Sequence, residues 1–210
     1  MQLSDKLIVA LDVSTKAAAQ KLVTAIVASA SSYKVGLQLY TAEGPQIVRE
    51  LCSSGLKVFL DLKYHDIPNT VALAVREAAG LGVHMITVHA LGGEKMLRAA
   101  TEAARSANPE MKVLAVTVLT SMDESEIGKI GIPGGVTDEV TRLASLAMDA
   151  GCDGVVASAM EARQIRRQAG NDFLIVTPGV RPAGSARGDQ ARVVTPSEAI
   201  AAGATHIVVG

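Results

Sequence analysis

Eight short, predominantly apolar segments recur along this chain, at residues 7–11, 33–37, 58–62, 85–88, 113–119, 154–157, 173–177 and 206–209. Runs of this length without polar alternation suit strands covered on both faces, the condition of a parallel sheet. Between them lie Ala-rich stretches with helical spacing, at 16–29, 41–53, 69–80, 94–107, 138–150, 159–169 and 196–202. Their boundaries carry matching signals. Ser14-Thr15 and Thr195-Pro196 suit helix beginnings, and Gly55, Gly80, Gly151, Gly170 and Gly203 suit helix ends. Strands and helices alternating through short loops are parallel βα units, and eight of them predict a (β/α)8 TIM barrel. The rival is a doubly wound open sheet, which usually carries fewer strands. No GxGxxG follows the first strand and no GxxxxGK[ST] occurs anywhere, so its nucleotide-binding forms lose support.

A chain of 210 residues suits one domain with a substantial core. Only 2% of it is aromatic and it has no Trp, so that core must be built from Ala, Val, Leu and Ile. Basic and acidic residues nearly cancel, at 20 and 21, and no basic block suggests nucleic acid. Cys52 and Cys152 form no ligand pattern and read as buried thiols in a reducing compartment. Neither a signal peptide nor an apolar segment of membrane-spanning length is evident, and we expect a cytoplasmic, single-domain protein over 1–210. The eight strands are matched by only seven helices, because the last strand ends at Gly210. A barrel normally closes with a helix there, so we expect the chain to be shortened at its C-terminus.

In a barrel, functional groups lie on the loops after the strands' C-terminal ends. Those positions hold Asp12, Lys34, then Asp61, Lys63 and Asp66, then His89, Thr120 with Ser121, and Arg181. Side chains alternate along a strand, so Asp61 and Lys63 share a face. Burying charge is costly unless it is paired, so such a run is either a solvated strand end or a site. Two lysines and three aspartates gathered at one end of three adjacent strands favour the site. Taken singly, Lys34 also reads as a strand-entry charge, and His89 as a residue that hydrogen-bonds loop backbone. His65, His84 and His206 pair with no other candidate ligand and read as core or surface residues. Residues 122–136 form a long glycine-containing stretch, either a plain loop or a cover over the site. Residues 178–192 carry Gly179, Gly184 and Gly188 with Arg181, Arg187, Arg192 and Gln190. That character after the seventh strand suits a phosphate, the alternative being a surface loop with incidental charge.

The run Asp61-Leu-Lys63-Tyr-His-Asp66-Ile-Pro-Asn-Thr70 resembles the DxKxxDIPNT signature of orotidine 5′-phosphate decarboxylases, closest to the bacterial type. Supporting pieces fall in that family's order: Ala10-Leu-Asp12, Lys34-Val-Gly36, Thr87-Val-His89 with Gly92-Gly93, Val118-Leu-Thr-Ser121, Thr177-Pro-Gly-Val-Arg181-Pro182, Gly188-Asp-Gln190 and Val194-Thr-Pro196. The DxKxxD core is shared with phosphosugar decarboxylases and aldolases of the same barrel group; the IPNT, PGVRP and GDQ pieces are more specific. The resemblance implies decarboxylation of orotidine 5′-monophosphate to uridine 5′-monophosphate, the last step of de novo pyrimidine synthesis, without cofactor or metal. By the same resemblance Lys63 is the proton donor, within a charged network of Lys34, Asp61, Lys63 and Asp66. Asp66 and Thr70 reach into the partner's site of a homodimer, and Ile67 contacts substrate. Asp12 and Lys34 resemble ribose-contacting residues, Thr120 the residue that meets the pyrimidine, Arg181 and Gln190 the gripping loop, and Gly210 a backbone amide on the phosphate. An arginine follows that glycine in the family, and here the chain ends before it.

Losing carbon dioxide from the pyrimidine ring leaves an electron pair in an sp² orbital that the ring's π-system cannot absorb. With no electron sink implied, a fixed ammonium near that carbon must supply the stabilisation, and it can also deliver the proton. Two rivals stand beside this reading. A metal-dependent phosphosugar enzyme of the same barrel group needs a magnesium ligand set, whereas the corresponding strand ends here hold Asp12, Lys34 and His89. A non-catalytic phosphate-ligand protein would use Arg181 and Gln190 but has no need of the Asp–Lys–Asp array.

Overall fold

A computed structural model of the chain describes residues 3–181 and 194–210. Eight strands, β1 (Leu7–Ala10), β2 (Ser32–Gly36), β3 (Lys57–Tyr64), β4 (Met85–His89), β5 (Lys112–Val116), β6 (Gly154–Val156), β7 (Leu174–Thr177) and β8 (His206–Val209), close in sequence order into a barrel. Each neighbouring pair is parallel, including β1 with β8. The expected TIM barrel is therefore the observed fold.

Helices α1 (Lys16–Ile26), α2 (Leu37–Glu43), α3 (Pro45–Ser53), α4 (Pro68–Gly80), α5 (Gly93–Ala107), α6 (Glu124–Lys129), α7 (Val136–Asp149), α8 (Ala159–Ala169) and α9 (Pro196–Ala201) lie between the strands. Beyond shifts of a few residues at element ends, the structure departs from the sequence reading in four places. The helix expected over 41–53 begins at Leu37 and is broken at Gly44, whose φ of 67° no L-residue adopts cheaply, with Pro45 opening the next helix. Strand β5 stops at Val116 rather than at 119. The stretch 122–136 contains α6, whose first turn is capped by the Asp123 carboxylate accepting from the Glu126 N–H at 3.0 Å. Strand β3 continues to Tyr64, two residues past the apolar run, for a reason that belongs to the site.

The low aromatic content is reflected in two apolar layers. Ile8, Ala10, Phe59, Met85, Leu114, Val176 and Val208 form the barrel interior, while a larger Ala, Val, Leu and Ile cluster fills the space between strands and helices. Alternation along β1 to β3 follows from this. Ile8 and Ala10, then Phe59, face the barrel axis, whereas Tyr33, Val35, Val58 and Leu60 face the helices. Gly154 is required where β6 meets β7, since a Cβ there would lie 2.3 Å from the Leu174 carbonyl oxygen. Both cysteines are free; burial, with a smaller contribution from the Asp153 carboxylate, pushes the Cys152 thiol up to about 12. Among the described residues no helix is long and apolar enough to cross a membrane.

Candidate active site

Strand register decides which polar groups meet. Ala10 is level with Lys34, Lys34 with Phe59, and Gly36 with Asp61. One period beyond Ala10 on the axial face comes Asp12, so Asp12, Gly36 and Asp61 lie near one level with Lys34 just beneath. Gly36 has no side chain, and the Lys34 ammonium rises into the space this leaves. A Cβ at Gly36 would sit 2.9 Å from Lys34 Nζ and 3.4 Å from Asp12 Oδ1. Lys34 Nζ donates to Asp12 Oδ1 at 2.9 Å and lies 3.9 Å from Asp61 Oδ2. Lys63 Nζ in turn donates to Asp61 Oδ1 at 2.9 Å. The result is an alternating row, carboxylate–ammonium–carboxylate–ammonium, running across three strands. Its middle members are the more enclosed ones, with the Lys34 and Asp61 side chains 13% and 14% exposed. Charges this far out of water persist only when paired, and here each is paired.

The end of β3 is irregular. Leu60 pairs with Ile86 and Tyr64 with Val88, so Asp61, Leu62 and Lys63 together face the single residue Thr87. Such a bulge breaks the ladder and re-aims side chains. Lys63 takes φ 51°, the one described non-glycine residue in the left-handed region, a conformation costing roughly 1 kcal/mol or more. Thr87, wholly buried, fills the broken ladder: its hydroxyl accepts from the Lys63 N–H at 2.9 Å and donates to Asp61 Oδ1 at 3.1 Å. Thr87 and Gly36 belong to the motifs Thr87-Val-His89 and Lys34-Val-Gly36, whose sequence alone points to no role for either. The signal for them is a lone hydroxyl at an axial position of β4 and a missing side chain two residues after Lys34 on β2.

The row lines a cleft of about 390 Å³ at the C-terminal mouth of the barrel, shared with Phe59, Leu119, Thr120, Arg181 and Gly210. Three cations, Lys34, Lys63 and Arg181, face two carboxylates there, a balance that suits an anionic ligand. Arg181 is anchored through its backbone N–H, which donates to the Val194 carbonyl at 3.0 Å. Gln190 lies outside the described residues, as do Arg187 and Arg192. Asp66, Ile67 and Thr70 do not line this cleft. The Asp66 carboxylate accepts from the Ile67 N–H at 2.6 Å. Ile67, 67% exposed, shares a shallow depression with His65, Pro68 and Leu91. Thr70, on the first turn of α4, borders a neighbouring depression with Lys63 and Asp66.

His89 does bond loop backbone, its Nδ1 accepting from the Leu91 N–H at 3.3 Å, and it stacks on His65 with ring centroids 5.2 Å apart. Burial first, then His65 and Lys63, depress His89 to about 4, so it stands neutral beside the lysine. His206 bonds Thr205 Oγ1 at 3.0 Å. Among the described residues no group of three or more His, Cys, Asp or Glu is placed to hold a metal ion.

Comparison with known proteins follows the same lines. The profile described as "Orotidine 5'-phosphate decarboxylase / HUMPS family" matches residues 5–210. Orotidine 5′-phosphate decarboxylase of Moorella thermoacetica is 52% identical over all of this chain and 86% of its own length. That of Halorhodospira halophila is 52% identical over 98% of this chain and 87% of its own. The crystal structure of the Lactobacillus acidophilus orotidine 5′-phosphate decarboxylase superposes with a TM-score of 0.86 at 36% identity, covering 98% of this chain and 90% of that one.

Proposed function

The chain belongs to the orotidine 5′-phosphate decarboxylase / HUMPS family, and we propose that it converts orotidine 5′-monophosphate to uridine 5′-monophosphate and carbon dioxide without a cofactor, closing de novo pyrimidine synthesis. The observation that carries this reading is the paired row Asp12–Lys34–Asp61–Lys63 across the mouth of the barrel. A ligand-binding protein has no use for two lysines fixed by a shared carboxylate; a reaction that develops negative charge on carbon does.

The bond between the ring carbon and the carboxylate breaks, carbon dioxide departs, and the electron pair stays on the ring carbon. Lys63 Nζ faces that carbon, stabilises the charge as it forms, and then delivers a proton to it; solvent later restores the ammonium. Asp61 and Lys34 hold the Lys63 ammonium in place before the substrate arrives, so little reorganisation accompanies the charge build-up. Asp61 also stands near the leaving carboxylate, a repulsion relieved as carbon dioxide leaves. Asp12 and Lys34 take the ribose hydroxyls, Thr120 the pyrimidine, and Arg181, Gln190 and the Gly210 amide the phosphate. Purified protein mixed with orotidine 5′-monophosphate should yield uridine 5′-monophosphate and carbon dioxide in equal amounts; a consumed substrate with any other product would end the proposal.

A homodimer completes the site in this reading, with Asp66, Ile67 and Thr70 serving the partner's cleft. Their position outside the cleft of their own subunit and the exposure of Ile67 support it. The consequence is subunit complementation. Lys63→Ala and Asp66→Asn are each expected to be nearly inactive alone. When the two are unfolded and refolded together, half the dimers are mixed, and each mixed dimer holds one intact site, so about one quarter of wild-type activity should return. Absence of any recovery, with mixed dimers present by mass, would place Asp66 in its own subunit's site.

A further inference from the structure

We infer that Thr87 is a positioning residue of the reaction: its single hydroxyl sets both the Asp61 carboxylate and the Lys63 backbone, and through them the place of the Lys63 ammonium. The inference rests on the decarboxylase reading above.

Three residues of β3 stand opposite one of β4 at this point, so the Lys63 N–H has lost its ladder partner. The Thr87 hydroxyl takes that place, accepting at 2.9 Å. A hydroxyl has one proton to give, and this one goes to Asp61 Oδ1 at 3.1 Å. The same oxygen, Asp61 Oδ1, receives the Lys63 ammonium at 2.9 Å. A closed ring results: Thr87 Oγ1 to Asp61 Oδ1, Asp61 Oδ1 to Lys63 Nζ, and Lys63 N–H back to Thr87 Oγ1. Backbone and side chain of the proton donor are thus referred to one buried atom on a different strand. That reference matters because Lys63 sits at φ 51°, which its own chain disfavours. Without the hydroxyl, both the left-handed backbone and the carboxylate rotamer lose the contact that selects them, and an unpaired N–H remains in a half-buried place.

Thr87 does not line the cleft, so it should act on the chemical step rather than on substrate capture. Thr87→Val keeps shape and volume but removes donor and acceptor, whereas Thr87→Ser keeps both. For Thr87→Val we expect kcat to fall about 10- to 100-fold, with KM and uridine 5′-monophosphate affinity within about threefold of wild type. Thr87→Ser should hold kcat within about threefold. Rates are taken per uridine 5′-monophosphate-binding site, so loss of folded protein does not count as loss of catalysis. If Thr87→Val fails to fold, Thr87→Ala against Thr87→Ser makes the same comparison. A kcat for the hydroxyl-free variant equal to wild type overturns the inference, as does a Ser variant as slow as the Val variant. A wild-type protein without decarboxylase activity would instead overturn the functional reading, a separate and recognisable outcome.

Discussion

Lys63→Ala is expected to lower turnover by on the order of 10⁴-fold or more, since in the proposed reaction one side chain supplies both the charge that stabilises the carbanion and the proton that quenches it. Uridine 5′-monophosphate should still bind, because the groups assigned to ribose, base and phosphate lie elsewhere along the cleft. The row explains why the loss should be so large. Lys63 is the end of a paired chain whose other members are already committed: Lys34 lies between Asp12 and Asp61, at 2.9 and 3.9 Å. Among the described residues lining the cleft, no second ammonium is free to take its place. Single-turnover decay of orotidine 5′-monophosphate absorbance measures the rate, and calorimetry with uridine 5′-monophosphate measures the retained affinity. A Lys63→Ala protein that decarboxylates normally would remove Lys63 from the mechanism.

Asp61→Asn separates two accounts of how the row works. The amide oxygen still accepts from Thr87, so the β3 bulge keeps its shape, but the charge between the two lysines is gone. If the carboxylate acts by fixing Lys34 and Lys63 in advance, kcat should fall about 10³-fold with KM little changed, the signature of an interaction felt in the transition state. If it acts chiefly by repelling the substrate's carboxylate, its removal should lower kcat and KM together, as relief of ground-state strain does. We expect the first. The largely enclosed position of Asp61, shared by two ammonium groups and a hydroxyl, is that of a fixed element of an electrostatic array.

The sequence carried the barrel because its evidence was periodic and repeated: eight apolar runs separated by helical stretches admit few other parallel folds. It was weakest where a single residue interrupts a period. Gly44-Pro45 splits one expected helix into two, a break written in the dipeptide but overridden by the helical spacing around it. Strand β3 was expected to end at 62 because its apolar residues end there; it continues because Thr87 supplies the hydrogen bond that its next residues need. Charge at the strand ends pointed to Asp12, Lys34, Asp61 and Lys63, and these do meet. Their order in the row was not legible, since it depends on the register between β1, β2 and β3 and on the gap at Gly36. Nor was the role of Thr87, which depends on a left-handed φ at Lys63 that no local pattern announces. Asp66, Ile67 and Thr70 belong to the same motif yet lie off the cleft. Only the resemblance to known decarboxylases gave them a use, across a subunit boundary.

The most direct test of the central claim, a decarboxylation driven by fixed charges alone, is the decay of orotidine 5′-monophosphate absorbance with protein stripped of divalent metal and assayed in excess chelator. The account predicts the same rate as for untreated protein, with uridine 5′-monophosphate as product. No decay, or a decay that returns only when a divalent cation is added back, would contradict it.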